Sequence, residues 1–322
     1  MKTLLLLVTL VSGISASLAA DLTASFDELY EKKAVLSETE KAALADVDFY
    51  LIPGILAESF RWDDRRSYVE LSAITRSYFS AQKKLLKKNG FNVKIIKSSS
   101  YSVTETQKEI AAAIAASTAT NRKALFLTHS LGGLALLEEL VQNEKLQAGV
   151  RGVIFLQSPF QGSPVADLYL QHPYYSDVWL KPLLPFLNTR DETVAYLTTA
   201  ARTAFMRANQ AGIKRLINKL PVITVGGVVD NARSVFEPSV DVLAYGCVKA
   251  LGRCTTRKLY AGPYDSSDGL VPFESSRLLS ADYVKLPRAD HGELVVNIPF
   301  VSYKKGRLTV ALLKLLLGKT TR

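Results

Sequence analysis

The chain has 322 residues, 48% of them hydrophobic and 22% charged, and a formal net charge of +10. Those proportions exclude an intrinsically disordered chain, and a total of two cysteines excludes a small disulfide-built fold or a cysteine-rich metal centre. No nucleic-acid motif accompanies the positive charge, so nucleic acid is not an expected partner; peripheral attraction to anionic lipid or envelope polymers is compatible with it.

The chain opens on Met1-Lys2-Thr3, continues with an apolar stretch from Leu4 to Val11, and passes through small residues to Ala20. A positive start, a short apolar core and a small-residue exit describe a secretory signal peptide, here residues 1–20, with cleavage at Ala19 or Ala20. The apolar stretch is too short for a comfortable membrane span. The expectation is export, to a periplasm or beyond the cell, and a mature domain of residues 21–322.

Residues 22–44 read as one or two helices, with Ser37-Glu38-Thr39-Glu40 as a helix start. A strand over 47–52 ends at Pro53-Gly54. A helix over 65–88 closes with Lys83, Lys84, Lys87 and Lys88, where cations suit the helix dipole. Strands are expected at 92–96, 124–127, 152–156, 222–229 and 282–286. Helices are expected at 104–117, 131–143 and 306–317. Short apolar strands alternating with helices imply a parallel sheet of about six strands, buried on both faces. Residues 166–219 break the rhythm with a mostly helical segment, including Trp179, Leu180, Leu183, Leu184, Phe186 and Leu187, read as an insertion folded over the sheet edge, where it would roof a site at the carboxyl ends of the strands. Cys247 and Cys254 lie in a turn-rich stretch, and export makes a disulfide between them the expectation.

The strand over 124–127 runs into His129-Ser130-Leu131-Gly132-Gly133, and a helix follows. A strand that turns sharply into a helix at a serine is the layout of a nucleophile elbow. A serine hydroxyl needs a base within hydrogen-bond reach, and the base needs an orienting group. The chain has three histidines. His129 adjoins the serine and its side chain is expected to point elsewhere; His172 lies in the inserted segment. His291, in a polar loop after the last strand, is the expected base. Asp268, in Ser266-Ser267-Asp268-Gly269, is the first choice for the acid, with Asp265, Asp230 and Asp290 as competitors. The backbone N–H groups of Leu131 and Ile55 are the expected oxyanion donors.

These residues resemble the lipase and esterase branch of the α/β-hydrolase superfamily, bacterial triacylglycerol lipases in particular. His129-Ser130-Leu131-Gly132-Gly133 is similar to the lipase elbow, Asp268-Gly269-Leu270-Val271-Pro272 to the turn bearing the acid, and Asp290-His291 to the histidine loop. Ile52-Pro53-Gly54-Ile55 is similar to the oxyanion loop, and Ser158-Pro159-Phe160-Gln161-Gly162-Ser163-Pro164 to a loop following the elbow helix and its next strand. Two positions depart from the pattern: Thr128 stands where the elbow usually has its first glycine, and Pro53 where many lipases have histidine. The resemblance implies an α/β-hydrolase fold with a helical lid, and hydrolysis of carboxylic esters, lipidic acyl esters among them, through Ser130, His291 and Asp268. It implies no cofactor and no metal. An acyltransferase or amidase on the same triad, and a non-catalytic binding protein on the same fold, are the alternative readings.

Overall fold

The computed structural model describes residues 19–55, 78–99, 102–171, 191–229, 266–296 and 303–319. Residues 1–18 of the signal-peptide stretch, His172, the apolar residues 179–187, Asp230, Asp265 and both cysteines lie outside the described residues.

Among the described residues six strands form one sheet: β1 (Val47–Ile52), β2 (Asn92–Ile95), β3 (Lys123–His129), β4 (Val150–Leu156), β5 (Val222–Val228) and β6 (Asp282–Pro287). Their order is β2-β1-β3-β4-β5-β6, and every pairing is parallel. Parallel strands need crossovers, and helices supply them. Side chains alternate between the two faces of a strand. On one face Phe49, Leu51, Leu125, Leu127, Ile154, Leu156 and Val225 pack with α1 (Thr23–Glu31), α3 (Ser80–Lys88) and α10 (Lys305–Lys319). On the other, Tyr50, Ile52, Phe126, Val153 and Phe155 pack with α4 (Val103–Thr118), α5 (Leu131–Gln142) and α9 (Gln210–Lys219). Both faces of the inner strands β1, β3, β4 and β5 are therefore dry, which explains why these strands read as short apolar runs, whereas the edge strands β2 and β6 keep exposed positions.

Residues 22–44 resolve into two helices, α1 and α2 (Glu38–Ala42). Ser37 and Glu40 close a reciprocal cap on α2: Ser37 Oγ accepts from the Glu40 N–H at 3.2 Å, and Glu40 Oε2 accepts from the Ser37 N–H at 2.7 Å. Contacts with the last strand begin at Ala20, whose N–H donates to Asp282 Oδ1 at 2.8 Å, and Leu22 N–H donates to Tyr283 O at 2.8 Å.

The described parts of 166–219 are helical. They comprise α6 (Pro164–Gln171), α7 (Asp191–Tyr196), α8 (Thr199–Ala208) and α9. Ile213 and Leu216 of α9 are buried in the same apolar cluster as α4 and α5, so this last stretch covers the sheet instead of standing above it. Arg202 of α8 is buried and its Nη1 pairs with Glu138 Oε1 of α5 at 2.5 Å, which anchors the segment to the helix behind Ser130. Among the described residues no helix is long and apolar enough to cross a membrane.

At the N-terminal end of the sheet, Asp48 ties three elements together. Its carboxylate accepts from Ser117 Oγ at 2.7 Å, Arg122 Nε at 2.6 Å and Asn92 Nδ2 at 2.9 Å. Burial alone would raise its pKa, but these hydrogen bonds and the guanidinium charge outweigh burial and depress it. A depressed carboxyl contributes stability above its unfolded pKa, and that contribution is lost as pH falls through the folded value. Asp48→Ala is expected to lower unfolding free energy by about 2 kcal/mol near neutral pH. In urea titrations, the deficit relative to wild type should close as pH falls below about 4.

Candidate active site

β3 ends at His129, and Ser130 adopts φ 52°, ψ −125° before α5 begins at Leu131. An L-residue at positive φ is strained by roughly 1–3 kcal/mol and persists only where its surroundings hold it. Here Ser130 N–H donates to Leu156 O of β4 at 3.0 Å, and Gly133 N–H donates to Ser130 O at 3.0 Å. Close packing does the rest. A Cβ on Gly132 would lie 2.7 Å from Ile52 O, and one on Gly133 would lie 2.9 Å from Ser158 Cβ. Only glycine lets α5 lie this near to the ends of β1 and β4. Thr128 is fully buried, and its Oγ1 finds no hydrogen-bond partner among the described residues. The threonine in place of glycine is thus accommodated by packing without gaining a polar contact.

The acid turn follows β5. Val229 N–H donates to Ser267 O at 2.8 Å, and Gly269 takes φ 96°, so the chain reverses at Asp268. Asp268 Oδ1 accepts the N–H groups of Leu270 at 3.1 Å and Val271 at 2.8 Å. Its other oxygen, Oδ2, lies 2.9 Å from His291 Nδ1. One carboxylate oxygen is therefore spent on holding the turn and the other faces the imidazole. His291 Nε2 lies 3.1 Å from Ser130 Oγ. Because an ionised carboxylate only accepts, Nδ1 carries the proton and Nε2 presents its lone pair to the serine hydroxyl. All three residues are buried, at 6%, 4% and 1% exposure for Ser130, His291 and Asp268. The competitor Asp290 turns its Oδ1 to the His291 N–H at 2.8 Å, so that oxygen serves the histidine's own loop.

The loop is braced from behind. Glu293 accepts from Asp290 N–H at 3.2 Å and Tyr303 N–H at 3.1 Å, and burial lowers the pKa of the neighbouring Lys305 while the Glu293 charge opposes that shift. The segment after β4 braces the acid turn: Ser163 Oγ donates to Leu270 O at 2.6 Å.

Of the expected oxyanion donors, Leu131 begins α5, where the first N–H groups have no intrahelical acceptor and the helix dipole is positive. Ile55 stands directly after Gly54, partly buried against the α4–α5 cluster. Gly54 is confined: an added Cβ would lie 2.9 Å from Ser130 Cβ, 3.0 Å from Tyr78 Oη and 3.2 Å from His129 Nδ1. The Pro53-Gly54 turn thus lets the loop press against the elbow.

His129 does point away from Ser130's hydroxyl, into the protein, between Tyr78 and Gln157. Burial, and next the His291 charge, hold its pKa well below the ordinary imidazole range. Tyr78 and Gln157 carry no sequence signal that would have singled them out. Gly227 did carry one: a Gly-Gly pair inside a strand marks close approach. A Cβ on Gly227 would lie 2.7 Å from Gln157 Nε2 and 3.0 Å from Asp268 Cβ. Among the described residues no group of three or more His, Cys, Asp or Glu side chains is arranged to hold a metal ion.

No family model and no curated protein matches this chain by sequence. Solved structures match it in shape. The mature form of a Bacillus licheniformis lipase is 20% identical with a TM-score of 0.55, over 84% of this chain and 91% of that one. A metagenomic carboxyl esterase is 18% identical with a TM-score of 0.63, over 89% of this chain and 78% of that one. Lipase 1 from Pelosinus fermentans is 10% identical with a TM-score of 0.53, over 86% of this chain and 99% of that one. At these identities the likeness establishes architecture. The chain has the α/β-hydrolase fold shared with these lipases and this esterase.

Gly227→Ala is expected to destabilise the protein by about 1–3 kcal/mol, because the new methyl group would collide first with the Ala289 carbonyl of the histidine loop and then with Gln157 and Asp268. Chemical denaturation measures it, with Gly318→Ala, where an added Cβ meets nothing within 4 Å, as the reference.

Proposed function

We propose that this protein is an exported serine hydrolase that cleaves carboxylic esters, with lipidic acyl esters as its substrate class. The observation that carries this reading is the hydrogen-bonded line from Ser130 Oγ through His291 to Asp268, on a serine at positive φ at the end of a central strand. Ester hydrolysis is also what the names of the lipases and the carboxyl esterase with this fold describe.

In this mechanism His291 Nε2 takes the Ser130 hydroxyl proton as Oγ attacks the acyl carbon. Asp268 keeps the ring in the tautomer that can accept and stabilises the imidazolium, without taking the proton itself. The N–H groups of Leu131 and Ile55 receive the negative charge that develops on the carbonyl oxygen. His291 then returns the proton to the departing alcohol, leaving an acyl group on Ser130. A water molecule, deprotonated by the same nitrogen, releases the acid and restores the serine. Every bond and proton closes within the chain, the ester and water.

Export rests on the sequence of residues 1–20. The positive net charge supports attraction to an anionic lipid surface.

Ser130→Ala is expected to abolish hydrolysis of p-nitrophenyl esters, and a fluorophosphonate probe to label Ser130 alone. Asp268→Asn should lower kcat by about 10³–10⁴-fold with folding intact. Folded wild-type protein that the probe leaves unlabelled would falsify the assignment. Activity that falls steadily from acetate to longer acyl chains would argue against lipid esters. Mass spectrometry of the secreted protein should find Ala20 or Asp21 as the first residue.

A further inference from the structure

A line of buried polar groups crosses behind Ser130, and the triad makes no use of it. Its members are Gly54 N–H, Tyr78, His129, Gln157 and the backbone on either side of His291. The direction of every hydrogen bond in it follows from one fixed end. Asp290 O, a carbonyl, can only accept, so Gln157 donates to it from Nε2 at 3.0 Å. That leaves Gln157 Oε1 facing His129 Nε2 at 3.2 Å and the Gly292 N–H at 3.4 Å. An oxygen opposite Nε2 requires the proton on Nε2, so His129 Nδ1 is bare. It accepts from the Tyr78 hydroxyl at 2.6 Å. The Tyr78 oxygen in turn accepts from the Gly54 N–H at 3.2 Å.

The two ends of this line fall on the moving parts of the proposed reaction. At one end Tyr78 grips the peptide N–H of Gly54, the residue before Ile55. At the other, one Gln157 amide holds Asp290 O and Gly292 N–H, the backbone on both sides of His291. The His129 and His291 rings lie 4.8 Å apart between them. His129 and Gln157 are 0% exposed and Tyr78 is 6% exposed, so water does not compete for these bonds. Strained backbone gathers at the same places: Gln157 has φ 50°, Phe79 beside Tyr78 has φ 59°, and Arg288 at the start of the histidine loop has φ 57°. A buried histidine that only filled space would not need partners that end on two separate loops of one site.

We propose that Tyr78, His129 and Gln157 are positioning residues that set the Gly54–Ile55 backbone and the His291 loop in register about Ser130, through a single neutral tautomer of His129. The proposal rests on the ester-hydrolase reading. A cationic His129 would present protons at both nitrogens, turn the Tyr78 hydroxyl proton toward the Gly54 N–H, and break the line there. Its burial and the nearby His291 favour the neutral ring.

Tyr78→Phe and Gln157→Met remove one link each with little change in volume, and the double variant removes both. Rates are measured on the full chain with a p-nitrophenyl ester, per active site titrated with fluorophosphonate, beside thermal melts. Each single variant is expected to lower kcat about tenfold with KM unchanged. The double variant should fall well short of the hundredfold loss that two independent contacts would give, about tenfold to thirtyfold. Nitrogen-15 NMR of histidine-labelled wild type should show His129 neutral and protonated on Nε2 at neutral pH, and a mixture of tautomers in Tyr78→Phe. Unchanged kcat per titrated site in both single variants, a fully multiplicative double variant, or a His129 that at neutral pH carries its proton on Nδ1 or on both nitrogens would each overturn the proposal. Wild type that neither labels nor turns over ester overturns the hydrolase reading itself, and this role with it.

Discussion

Ser130 sits at a backbone conformation that an isolated chain avoids, and the rest of the site is arranged around keeping it there. The hydroxyl is presented only because β3 stops one residue earlier and α5 starts one residue later. That spacing survives because Gly132 and Gly133 let the helix settle against the ends of β1 and β4. The strain at one residue is balanced by a large apolar sheet buried on both faces, in which β3 is flanked by β1 and β4. A central strand is the stiffest place in such a sheet, and the serine stands at its carboxyl end, where ligands bind in open α/β sheets.

Around that fixed point the other groups arrive on loops, and loops need fastening. Asp268 is fastened by its own turn, whose two N–H groups occupy one carboxylate oxygen. His291 is fastened through Asp290, Glu293 and Tyr303, and its N–H groups and carbonyl neighbours are taken up by Asp268, Asp290 and Gln157. Bonds of this kind cost little to form in place and much to leave unmade once water is excluded. The site is thus a pair of loops held by their own backbone hydrogen bonds, with the side chains of Ser130, His291 and Asp268 meeting between them.

Much of the fold was legible in the chain. The four inner strands were readable from apolar runs, because a strand buried on both faces is largely apolar, and the edge strands β2 and β6 from shorter runs in which polar residues alternate with apolar ones. The cap at Ser37 was readable from its spacing to Glu40. The sequence singled out Ser130 and His291 by their places just after strands, and Asp268 by its place between them and the glycine that follows it; the structure brings the three side chains together. Asp268 nevertheless had rivals by sequence, since nothing local says which carboxylate meets the outer nitrogen of a ring 23 residues away. Tyr78 and Gln157 were not legible at all. A tyrosine before a helix and a glutamine after a strand are ordinary residues until their partners are known.

The sequence by itself determined the alternation of strands and helices, the sharp turn at Ser130, and the chain order of serine, acid and base. These depend on side-chain period, glycine placement and short-range sterics, all of which are local. Only the tertiary structure decided which aspartate faces His291, that α9 closes over the sheet, and that Tyr78, His129 and Gln157 join two loops behind the serine. Those outcomes depend on contacts between residues up to 161 positions apart. Their geometry is set by how the parallel strands register with one another, and no single stretch of chain contains that information.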